Sequence, residues 1–207
     1  MESILQQFVD GIRQTGWLEY LAVFAGIVSV WFSKREHILV YPTGLVNTVI
    51  YVYLSLKAHL PGEASVNLYY SIVSIYGWHA WSRRDTDRTP LLRIAFSDAR
   101  QRWMQAGFFL LCYAVLFFCL KFLKSDFATG AIPWADALAS ASAYTGMWLM
   151  ARKKVESWFW WIVTNIASRP LYFVKGYVFT SVYYLVLLAL AVSGFIEWRR
   201  RAQETSE

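Results

Sequence analysis

Trp158, Trp161 and Asn165 stand at i, i+3 and i+7, so they share one stripe of a helix, while Trp160 points to another face. An indole face offers a broad stacking surface and attracts a ring cation, and a primary amide both donates and accepts hydrogen bonds. Asn47, Asn67 and Tyr184 supply further amides and a phenol in apolar surroundings. Aromatic walls with a few amides suit a flat heteroaromatic ring that carries a sugar or an alcohol. Bland roles compete at each position. Trp158 and Trp161 follow closely on Lys154 and fit an aromatic belt at a membrane interface, and an Asn can simply bond a neighbouring helix. Trp78 and Trp81, just ahead of Ser82, Arg83 and Arg84, fit either that belt or a gate. Arg169, followed by Pro170, either touches a solute or snorkels to the surface where the proline opens its helix.

These residues can hold a molecule; nothing among them can react with one. His37, His59 and His79 lack a metal-ligand spacing, and the chain has no Gly-rich phosphate loop, no Ser-His-Asp candidate and no ATP-binding motif. The expectation is a binding or transport protein with no catalytic residue, no metal and no cofactor. Glu19, Asp136, Glu156 and Glu197 fall near the ends of apolar stretches, which argues against an ion relay through the centre. Cys112 and Cys119, seven apart on one apolar face, read as packing thiols.

The elements that position the stripe follow from composition. Of 207 residues, 57% are apolar, 18% aromatic and only 16% charged, too little polar surface for a water-soluble globule. A bilayer core takes about 20 apolar residues in a helix. Residues 17–32, 38–56, 64–82, 103–120, 134–151, 157–174 and 176–196 fit, which predicts an all-α integral membrane protein of seven spans. Every second connector is basic. Fourteen of the 20 Lys and Arg, from Lys34 to Arg201, fall on one side, so that side is cytoplasmic, the N-terminus lies outside and the C-terminus inside. Topology thus accounts for the net charge of +6 without a nucleic-acid partner. Residues 1–17 read as an amphipathic segment at the outer surface with no cleavable signal, 85–102 as a basic cytoplasmic loop and 202–207 as a cytoplasmic tail.

An internal repeat organises the spans. At an offset of 118, Lys34-Arg35 meets Arg152-Lys153, Asn47 meets Asn165 and Lys57 meets Lys175; at 117, Gly77 meets Gly194, Trp81 meets Trp198 and Arg83-Arg84 meets Arg200-Arg201. Two three-helix bundles, 18–84 and 133–201, are expected in parallel orientation, joined by a linker helix at 103–124 that carries the chain back across the membrane. That three-plus-one-plus-three plan places a solute path between the bundles, with Asn165 about 13 Å in from Glu156, close to mid-membrane.

Over residues 20–201 the chain resembles the Pnu-type vitamin transporters. Ile75-Tyr76-Gly77-Trp78 followed by Trp81, Gly44-Leu45-Val46-Asn47, and Glu156-Ser157-Trp158 followed by Trp161 and Asn165 carry the likeness. The resemblance implies a fold similar to SWEET sugar transporters in a bacterial plasma membrane. It also implies facilitated diffusion of a dephosphorylated vitamin precursor, with nicotinamide riboside ahead of thiamine and riboflavin, trapped afterwards by a cytoplasmic kinase. On that likeness Trp158, Trp161 and Asn165 wall the pocket from one side, Asn47 faces them, and Asn67 adds an amide. A receptor or scaffold that binds without transporting is the competing class, and a homo-oligomer stays open.

Overall fold

A computed structural model describes residues 16–57, 61–87, 89–122, 132–174 and 178–204, without the side chains of 61–62, 169–174 and 178–181. The expected amphipathic segment before residue 16, residues 205–207 of the tail, Lys175 and the Arg169 side chain lie outside this description. Seven helices follow in order: α1 (Trp17–Lys34), α2 (Val40–Lys57), α3 (Pro61–Ser82), α4 (Ala99–Phe122), α5 (Pro133–Ala151), α6 (Glu156–Val174) and α7 (Val178–Glu204). Among the described residues the only extended pairing is two isolated bridges, Arg84 with Pro90 and Ala95 with Lys154. Two stretches, Ala99–Phe122 and Val182–Glu204, are long and apolar enough to cross a bilayer on composition alone. Every helix turns a large apolar side chain outward: Phe24, Leu56, Ile72, Leu111, Trp134, Ile166 and Ile196 are all exposed. Such a surface is unfavourable in water and neutral against lipid tails.

Packing divides the helices. α1, α2 and α3 pack in sequence, as do α5, α6 and α7; the groups meet where α1 lies on α7 and α3 on α5, and α4 packs on α5. α5 can serve three neighbours because it is built from small residues. Ala137, Ala141, Ser142, Ala143, Thr145 and Gly146 are buried along it, letting other backbones approach closely. Its start is set by Pro133 in the first turn and by Asp136, whose carboxylate accepts the Ile132 N–H at 2.6 Å.

α1 and α5 end alike. His37 N–H donates to the Phe32 carbonyl and Lys154 N–H to that of Leu149, each closing a left-handed turn in which Glu36 has φ 59° and Lys153 φ 53°. Glycine fits that conformation most easily. Here the two positions carry opposite charges instead, and their side chains form a 2.5 Å ion pair across the groups, spanning 117 residues. Other contacts recur at this spacing. Tyr41 packs edge-on against Trp81 (5.2 Å) and Trp158 against Trp198 (5.6 Å). A Cβ on Gly77 would stand 2.5 Å from the Tyr41 ring, and one on Gly194 2.6 Å from the Trp158 ring. The turns and ring pairs therefore match at 117 from the end of α1 onward, which sets Asn47 against Thr164 and Asn165 against Thr48, in place of the expected pairing of Asn47 with Asn165.

Candidate functional site

Asn165 occupies the middle of α6, 3% exposed, and its side-chain amide meets no hydrogen-bonding partner among the described residues. A solute hydroxyl or carboxamide can both donate to and accept from such an amide. One turn toward the basic end, the Trp161 ring lies 6.2 Å from Tyr70 of α3. Tyr70 lies 6.2 Å from Tyr144 of α5, and Tyr144 lies 4.6 Å from Tyr69, whose hydroxyl donates to the Tyr144 carbonyl at 3.1 Å. Tyr184 of α7 stands 5.8 Å from Tyr183 and within electrostatic reach of Tyr70; Tyr51 of α2 is likewise within reach of Tyr183 and Tyr184. Aromatic rings from α2, α3, α5, α6 and α7 thus lie within reach of one another, with Asn165 one turn from Trp161 on α6. The arrangement can stack a flat ring and bond its substituents, and it offers no group for covalent chemistry.

The other residues singled out in the sequence lie elsewhere or spend their polar groups. Asn47 donates to the Ala22 carbonyl at 2.7 Å, tying α2 to α1; its Nδ2 and the Tyr183 hydroxyl both crowd Gly26, where a Cβ would stand within 2.8 Å of each. Asn67 donates to the Glu63 carbonyl of its own helix at 2.9 Å. Trp160 packs 4.7 Å from Phe109 of α4. Trp158, 1% exposed, is wedged between Gly194 and Trp198 in the core of the basic end, and its indole N–H has no partner among the described residues. Trp78 is partly exposed at the protein surface, whereas Trp81 is buried in that same core. Tyr144 and Tyr51 were not singled out by sequence reasoning.

The basic end is closed. Trp81 Nε1 donates to the Ala151 carbonyl at 3.2 Å, and Trp198 Nε1 to those of Ser33 and Lys34 at 3.1 and 3.2 Å. Lys153, nearly fully buried, lies 4.7 Å over the Trp81 ring while paired with Glu36, which Arg201 also approaches at 3.5 Å. Bonds that cross between the two groups thus tie the basic end together.

The family profile described as nicotinamide mononucleotide transporter matches residues 16–200. The nicotinamide riboside transporter PnuC of Escherichia coli (strain K12) is 24% identical over 208 residues, covering 91% of this chain and 87% of its own. The riboflavin/roseoflavin transporter RibM of Streptomyces davaonensis is 25% identical over 191 residues, covering 92% and 88%. The crystal structure of the vitamin B3 transporter PnuC superposes with a TM-score of 0.74 at 24% identity, covering 97% of this chain and 88% of that one, a likeness of fold. These relatives are transporters, as expected of a chain without a reacting centre. The likeness read from Trp158, Trp161 and Asn165 and from the tyrosine–glycine–tryptophan segment holds across nearly the whole length, and the chain belongs to the nicotinamide mononucleotide transporter family.

Proposed function

We infer that the protein moves a dephosphorylated vitamin precursor across the membrane by facilitated diffusion, with nicotinamide riboside as the leading cargo. The observation that carries this reading is Asn165, whose amide makes no hydrogen bond among the described residues and stands one turn from Trp161. A pyridinium ring is a flat cation that aromatic faces attract, and its carboxamide and ribose hydroxyls match an amide. Trp161, Asn165 and Tyr184 contact the solute in this reading, Asn47 and Asn67 shape the chamber through helix contacts, and Trp158, Trp81 and Trp78 belong to the gate end. The seven helices form two parallel three-helix repeats joined by α4, as in SWEET transporters. The contacts repeated 117 residues apart support that plan. Basic connectors support a cytoplasmic C-terminus in a bacterial inner membrane. A cytoplasmic kinase would trap the cargo by adding a charge. RibM, a relative as similar as PnuC, favours riboflavin as the second reading.

Purified protein in liposomes tests the inference with labelled nicotinamide riboside, thiamine and riboflavin, without ATP or an ion gradient. Equilibration of nicotinamide riboside is expected. Flux of riboflavin alone would reassign the cargo, and binding without flux would make the protein a receptor.

A further inference from the structure

A cavity of about 370 Å³ opens beside α5, with Tyr69 of the aromatic cluster in its lining. α3 and α4 both lie on α5 but barely meet each other, so α5 forms the back wall of a groove between them. Along α4 the lining runs from Gln101 through Met104 to Phe108, and along α5 from Arg152 to Thr145. Seven steps of helical rise, from Gln101 to Phe108 and from Thr145 to Arg152 at the end of α5, give the groove a length of about 10 Å along the bundle. Its lining is mostly apolar, with Val73 and Leu149 buried, Phe108 half-buried and Met104 exposed at the rim, beside the buried polar Ser97, Gln105 and Thr145; Arg152 and Lys154 stand at the basic end. Arg152 is fixed there by the Trp148 ring 4.4 Å beneath it, on which Tyr76 stacks from α3. Among the described residues no acceptor meets the Arg152 N–H groups, while Lys154 reaches only the Phe96 carbonyl at 3.3 Å. The nearby carboxylates are engaged. Glu156 accepts from the Ser97 N–H and hydroxyl, and Asp98 from the Gln101 N–H.

We propose that this groove between α3 and α4 is a binding site for an anionic phospholipid, with the phosphate on Arg152 and Lys154 and an acyl chain along Val73, Met104 and Phe108. Basic mouths between membrane helices recognise anionic head groups, and an apolar trough open to the side admits a chain without removing it from the bilayer. Only its assignment to the cytoplasmic leaflet rests on the orientation proposed above; the chemistry does not depend on transport.

Native mass spectrometry of the full chain in detergent, titrated with phosphatidylglycerol or phosphatidylcholine of matched acyl chains, tests the site. One phosphatidylglycerol per chain is expected to bind at least tenfold more tightly than phosphatidylcholine. Arg152→Gln with Lys154→Gln should lose about thirtyfold, near fivefold per charge. The charge-conserving pair Arg152→Lys and Lys154→Arg should stay within about threefold, a readout that survives if the neutral pair misfolds. Equal retention of the two lipids would overturn the proposal. So would undiminished binding in the neutral pair, the same loss in Arg83→Gln with Arg84→Gln, or full displacement of the lipid by millimolar inorganic phosphate, which would indicate a soluble-anion site.

Discussion

Trp81 and Trp198 stand 117 residues apart in the chain with ring centroids 6.1 Å apart, and each indole donates to the last turn of the helix that opens the other's group. The carbonyls they reach, of Ala151 and of Ser33 and Lys34, are among those a helix end leaves without an internal partner. Two residues therefore cap two helices and join two groups at once.

Losing the Trp81 N–H leaves the Ala151 carbonyl without that bond, and losing the Trp198 N–H does the same to Lys34, while Ser33 keeps the Glu36 N–H. Trp81→Phe and Trp198→Phe are each expected to cost about 1–3 kcal/mol. Unfolding in graded denaturing detergent measures this. The two costs should be similar and the double variant should deviate from additivity, because the rings touch. A loss in one variant and none in the other would show that only one bond carries the closure.

Gly77 and Gly194 make room for an aromatic ring. Gly194→Ala should destabilise by about 1–3 kcal/mol, since the new Cβ must displace the outer edge of the Trp158 ring. The atoms it meets are Cη2, Cζ2 and Cζ3, which a phenylalanine lacks. Adding Trp158→Phe to Gly194→Ala should therefore recover part of the loss, a reversal seen only if the clash is the cause.

How much of this was legible beforehand depends on what the signal measured. Hydropathy blocks and turn residues placed all seven helices, and 134–151 against Pro133–Ala151 shows how closely a helix of small apolar residues flanked by Pro133 and Arg152 can be bounded. The expected offset of 118 at the end of α1 differs by one residue from the 117 at which the left-handed turns and ring pairs recur, because residues of like type were matched. Where equivalent positions touch each other, identity is disfavoured: Glu36 faces Lys153, and two like charges there would repel. Lys34-Arg35 with Arg152-Lys153 was the tempting match for that reason. The chamber was only half legible. Spacing on one helix put Trp161 and Asn165 together, but it could not separate Trp158, whose ring lies over Gly194 of another helix, nor find Tyr144, brought in by α5.

The ion pair between the left-handed turns can be tested apart from their geometry. Lys153→Gln leaves the Glu36 carboxylate with Arg201 alone and should cost about 3 kcal/mol or more if the site stays as buried as it is here. Lys153→Gly relieves the φ 53° conformation and removes the same charge, so it should cost about 1 kcal/mol less than the Gln variant. Equal stability of the two would mean the turn stores no strain.

Binding separates the faces of α6. Asn165→Ala and Trp161→Ala should weaken nicotinamide riboside binding about threefold to a hundredfold, read by titration calorimetry on folded protein. Trp160→Ala, which loses its contact with Phe109 of α4, should lower thermal stability and leave affinity unchanged. Normal affinity in Asn165→Ala would remove the amide from the site.

The stretch that follows α3 is fastened at one end only. Ala95 N–H donates to the Lys153 carbonyl, Val155 N–H donates to that of Ala95, and Ser97 is held by Glu156, so the chain is already riveted to α5 and α6 before α4 begins. α4 then lies on α5 as well. Mechanically the protein is an assembly of two parts, of three helices and of four, threaded together by the short hairpin between Arg83 and Leu91. The indole and carboxylate bonds at the basic end are the clasp that holds those two parts together.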